Sequence, residues 1–133
     1  MLHRCLMTIC FVVASMPAAA QFASPATNAT ASCSERRSVE PIFFDTFDFR
    51  DAHRIELIQR MNTAHAFSTI VETGDCSCEN RFPDWDDAIE YYLEHYAGIK
   101  DRHEIYAQTD IYRKTINAQR DTARAICTSQ GNW

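Results

Sequence analysis

Glycine is scarce in this chain: 133 residues hold three, at positions 74, 98 and 131. A glycine-rich phosphate-cradling loop is therefore excluded, since it needs several closely spaced glycines to bring backbone N–H groups onto a phosphate. No stretch alternates apolar and polar residues long enough to read as a strand, and no segment repeats. Metal-ligand spacing is missing too: His53, His65, His95 and His103 form no H-x-x-x-H pair. Asp84, Asp86 and Asp87 lack the glycine and downstream glutamate of a calcium-binding EF-hand loop and read instead as an acidic first helical turn. No serine sits in a nucleophile-elbow context. Glu90 and Glu94, one turn apart, are of the type used for acid–base work, but the pair reads as a solvated helix face. On these grounds we expect no catalytic residue, no metal and no cofactor.

What is present begins with the N-terminus. Met1-Leu2-His3-Arg4 is short and positive, Cys5 to Met16 is apolar, and Pro17-Ala18-Ala19-Ala20 places small residues at both positions a signal peptidase reads. This tripartite order is that of a cleavable secretory signal over residues 1–20. The apolar run is too short for a stable bilayer anchor. Cys33 does not follow a hydrophobic stretch, which disfavours lipidation there. The product is expected in the periplasm or outside the cell, with no stable membrane anchor after cleavage. Arg4 is the single Asp, Glu, Lys or Arg in residues 1–20, so the mature chain carries 12 basic against 18 acidic residues. A net negative charge argues against nucleic acid as a main partner.

Cys5 and Cys10 leave with the signal, and Cys33, Cys76, Cys78 and Cys127 remain. An even count in an exported chain predicts two disulfides. Of the three pairings, two tie Cys76-Ser77-Cys78 to Cys33 and Cys127, and the third joins Cys76 to Cys78. The first two are structural staples for a small core. The third would close a tight, reducible ring and suit a thiol–disulfide redox protein, although no thioredoxin-like pattern surrounds it.

The mature chain divides into a leader over 21–40, rich in small and polar residues and tied down at Cys33, and a helical domain over 41–133. The leader contains a glycosylation triplet, Asn28-Ala29-Thr30. Phe43, Phe44, Phe47 and Phe49 are expected to pack under the helices. Apolar spacing of three and four predicts a first helix over 51–72, through Leu57, Ile58, Met61 and Ile70, closed by Gly74. A loop over 75–83 holds the cysteine pair. A second helix starts with Asp84 as N-cap and carries Trp85, Ala88, Ile89, Tyr92, Leu93 and Tyr96, with Gly98 weakening its end. A third runs over 110–129, with Thr109 as cap and Gly131 past its end. The predicted fold is all-α: a small three-helix, mainly antiparallel bundle with two disulfides. Short loops would carry the first and third helices in the same direction, bringing Cys127 to the loop of Cys76 and Cys78.

Exposed tyrosine and tryptophan favour protein–protein contact. Trp85, Tyr91 and Trp133 are the candidate partner-binding residues, and a protein partner is the expected ligand. The run Ala123-Arg124-Ala125-Ile126-Cys127, followed by Gln130-Gly131-Asn132-Trp133 after a helical body and a C-x-C loop, resembles small periplasmic accessory proteins encoded among conjugative-transfer (type IV secretion) genes. The resemblance covers at most the second half of the chain. It implies an accessory role in an envelope transfer assembly and transfers no catalytic residue. A rival expectation is an inhibitor of a secreted enzyme, presenting 79–83 as a protruding loop.

Overall fold

The computed structural model describes Cys33 and residues 41–133. The signal at 1–20 and the leader, Cys33 excepted, lie outside the described residues. Two 3-10 turns, Ile42–Thr46 and Phe49–Asp51, lead into helix α1, Ala52–Thr73. A one-turn helix α2 follows at Cys78–Arg81, then α3 at Asp86–His95 and α4 at Arg102–Ser129. There is no strand among the described residues, and the chain is an all-α bundle with two disulfides.

The long helices α1 and α4 run parallel. Arg113 bonds Glu56 at 3.2 Å, Ser68 bonds Gln119 at 3.0 Å, and Cys76 is disulfide-bonded to Cys127, so both chains climb together. Between them α3 descends. Asn62 reaches the Pro83 carbonyl just before α3, while Arg54, two turns earlier on α1, donates to the Tyr92 hydroxyl near its end at 2.9 Å and to the Ile99 carbonyl. Leu57, Ile58 and Met61 of α1, Ala88 and Tyr92 of α3 and Ile105 of α4 are buried together over Phe44. A second cluster, Ile70, Cys76, Ala123 and Cys127, closes the other end.

Helix boundaries follow local chemistry. Gly74 ends α1 at φ 69°, a left-handed conformation that costs glycine no Cβ clash. The last helix starts eight residues earlier than the apolar spacing predicts. Its cap is Asp101, whose carboxylate accepts from the His103 N–H at 2.9 Å. Thr109, expected as the cap, is instead buried mid-helix and donates to the Ile105 carbonyl one turn back. Helix α3 starts at Asp86, preceded by Trp85, and Asp84 does not serve as its N-cap. The 75–83 segment is not wholly loop, because Ser77 caps α2 through the Asn80 N–H. Of the four phenylalanines, Phe43, Phe44 and Phe47 join the core, but Phe49 is 82 % exposed.

Candidate functional site

Helix α3 has 10 residues against 22 in α1 and 28 in α4. At about 1.5 Å per residue it spans less than half of either partner. Where α3 and α4 diverge over α1, a cleft of about 430 Å³ opens. Its floor is Met61, Ala64 and Ser68; Asp87, Ala88 and Tyr91 form one wall, and Ile111, Tyr112 and Thr115 the other. Small Ala64 and Ser68 on α1 leave the floor deep. Tyr96 closes one end, its hydroxyl 3.0 Å from that of Tyr112. Burial first, and that hydrogen bond second, hold the Tyr112 phenol well above its ordinary pKa. The Tyr112 hydroxyl therefore stays protonated at the cleft end.

Two large apolar side chains stay exposed at the rim, Tyr91 (47 %) and Ile111 (54 %). Tyr91 lies against His95, with ring centroids 4.1 Å apart and the planes tilted by 50°. Of the exposed carboxylates of α3, Asp87 lines the cleft and Asp86, Glu90 and Glu94 lie outside its lining, Glu94 pairing with neighbouring His95 at 3.5 Å.

The other residues singled out in the sequence fall elsewhere. Trp85 is half-buried and meets Phe44 edge-on at 5.3 Å, so it serves the core. Trp133 folds back onto the bundle, 6.1 Å from the Phe67 ring, with the Arg81 guanidinium 4.7 Å over its face and that of Arg124 at 5.6 Å. Burial pulls the Arg81 guanidinium below its ordinary pKa. Cys33 bonds Cys78, and Cys76, fully buried, bonds Cys127. These are staples, so the C-x-C ring pairing does not occur. Residues 79–83 form the end of α2 and a half-buried turn against α1, not a protruding loop. His53, His65, His95 and His103 do not converge, and no group of potential metal ligands exists among the described residues.

Sequence reasoning missed the cleft, and also Gln130 and Asn132. Gln130 accepts from the Cys76 N–H at 2.8 Å and donates to the Gly74 carbonyl at 2.8 Å, while Asn132 donates to the Cys76 carbonyl at 2.6 Å. These two side chains satisfy the backbone of the cysteine loop.

Comparison of the chain with protein-family models, curated proteins and solved structures returned no match. The class defined by fold and site is a small all-α bundle, stapled by two disulfides, with an open tyrosine-lined cleft. Two disulfides are the mark of an oxidising compartment, extracellular or periplasmic. No helix among the described residues is long and apolar enough to cross a membrane.

Proposed function

We propose that this chain is an exported binding module that holds a helical segment of a partner protein in the cleft between α1, α3 and α4. The observation that carries the reading is the rim: Tyr91 and Ile111 stand half-exposed across an apolar floor while the other large apolar residues of α1 and α4 are mostly packed inside. An amphipathic helix laid into such a groove would bury that surface and complete the bundle above the short α3. Asp87 in the cleft wall, with the exposed carboxylates beside it on α3, selects a partner helix with basic residues along one flank. An accessory role in an envelope assembly of the conjugative-transfer kind fits this reading. The two staples support it over the redox alternative, since Cys76 and Cys78 are bonded to different cysteines. The turn at 79–83 offers an enzyme inhibitor no projecting loop.

The test is site-specific photo-crosslinking in the exporting cell. A photoreactive residue at position 111 is expected to give one discrete adduct with one protein. The same residue at position 93, where Leu93 is equally exposed but off the cleft, should give none. Tyr91→Asp should abolish the position-111 adduct. Equal labelling from both positions, or none from 111, would sink the proposal. Mass measurement of the exported protein is expected to show loss of residues 1–20.

A further inference from the structure

A second cavity, of about 340 Å³, lies on the other side of α1, under Trp133. Its walls are aromatic: Phe67, Phe82, Trp85 and Trp133. Among the described residues its one charged side chain is Arg81. Arg81 stacks on Phe82 at 5.2 Å and on Trp133 at 4.7 Å. Stacking occupies the faces of a guanidinium and leaves its in-plane N–H groups available. Among the described residues no carboxylate pairs with Arg81, and no side-chain or backbone oxygen accepts from its guanidinium. The indole N–H of Trp85 is buried without an acceptor. Asn62, 7 % exposed, also lines the cavity, and its amide makes one long bond, 3.4 Å, to the Pro83 carbonyl.

Native proteins seldom leave buried donors unanswered, because each costs free energy when stripped of water without a partner. Here the half-buried Arg81 guanidinium and the Asn62 carboxamide border one space that no aspartate or glutamate among the described residues lines, while the Trp85 indole N–H is closed off from it. Arg124, over the same Trp133 ring, adds a second positive charge beside the residue that closes the cavity. A guanidinium with no carboxylate beside it calls for an anion, and the planar fork of arginine matches a carboxylate bidentately. The aromatic walls call for a flat apolar body attached to it. A volume of 340 Å³ falls in the range of small-ligand sites and holds one ring with its carboxylate.

We infer that the cavity under Trp133 binds a carboxylate carried on a flat, apolar body, with Arg81 pairing the carboxylate and the aromatic walls of Phe67, Phe82, Trp85 and Trp133 enclosing the body. The site is separate from the α1–α3–α4 cleft and does not depend on a partner binding there.

The chain's two tryptophans both line this cavity, so intrinsic fluorescence reads it directly. The intact, oxidised protein is titrated with phenylacetate and, separately, with phenylacetamide, which has the same ring and no charge. A saturable change with phenylacetate and a binding constant at least about tenfold weaker for phenylacetamide are expected, as for loss of a charge-assisted hydrogen bond. Arg81→Gln should weaken phenylacetate by a similar factor while its circular dichroism stays helical. Trp85→Phe should weaken it less and leave Trp133 as reporter. No saturable response, equal binding of acid and amide, or full affinity in a folded Arg81→Gln variant would each overturn the assignment. If Arg81→Gln unfolds, the acid-to-amide ratio of the unmodified protein decides the matter alone.

Discussion

The two disulfides close loops of nearly equal length, 45 residues for Cys33–Cys78 and 51 for Cys76–Cys127. Loop-closure entropy depends on length only logarithmically, so each restrains the unfolded chain by about 4 kcal/mol at 25 °C. Their surroundings in the folded state differ. Cys76 and Cys127 are both fully buried beside Ile70 and Ala123, whereas in the outer pair Cys33 is buried and Cys78 is half-buried at the start of α2. Replacing the inner pair by alanine also empties packed volume, an added cost of about 1–2 kcal/mol. It also loosens the Cys76 backbone that Gln130 and Asn132 hold. The expected order is therefore Cys76→Ala/Cys127→Ala less stable than Cys33→Ala/Cys78→Ala, with a gap of roughly 5–10 °C in Tm for a domain of this size. Urea unfolding followed by circular dichroism measures both, and each variant should show a steeper m value because its unfolded chain is less compact. If the outer pair costs as much as the inner one, the upper cluster is not the packed core described here.

Removing the Asp101 cap with Asp101→Ala should cost about 1 kcal/mol, while Asp101→Asn should recover most of it; an unchanged urea midpoint would mean that α4 starts nearer Thr109. Alkaline pH gives a second check. Tyr112 holds its proton in the folded state above its ordinary pKa of 10.0, whereas the unfolded chain releases it near that value. The folded form then binds more protons than the unfolded one, so this contribution is intact below pH about 10 and falls as pH rises beyond it. Tyr112→Phe should flatten that alkaline limb in stability-versus-pH curves, and an identical limb in the variant would refute the assignment.

Much of the architecture is legible in the residues. The three- and four-residue spacing of Leu57, Ile58, Met61 and Ile70 marks α1 within a residue at each end, and Gly74 marks its stop. The direction of the helices, and with it the approach of Cys127 to Cys76, follows from short connections alone. The start of α4 is less legible because its first two turns are polar. Of residues 102–109, Ile105 and Thr109 are buried, and threonine reads as a cap in sequence when its hydroxyl can equally bond the preceding turn. The pairing within C-x-C is not decided by spacing, since both cysteines lie within one loop of both partners. Neither cavity can be read from the sequence. Each is a gap between elements, and its lining comes from residues up to 54 positions apart in the cleft and 71 in the cavity under Trp133.

Both openings trace to one feature of the topology. Two helices can run parallel only if the chain returns between them, and here residues 74–101 make that return. A full-length return helix would have covered the α1–α4 seam completely. Instead the cysteine pair consumes the first part of the segment: Cys76 must reach Cys127 and Cys78 must reach Cys33 before α3 can begin. What remains is a 10-residue helix that covers one end of the seam, leaving the tyrosine-lined cleft beyond it. The same stapled stretch lays Arg81, Phe82 and Pro83 across the far side of α1, where Trp133 closes over them. The staples thus do more than supplement a small core. By fixing where the return path starts, they delay the start of α3, and the short helix that results leaves both spaces open.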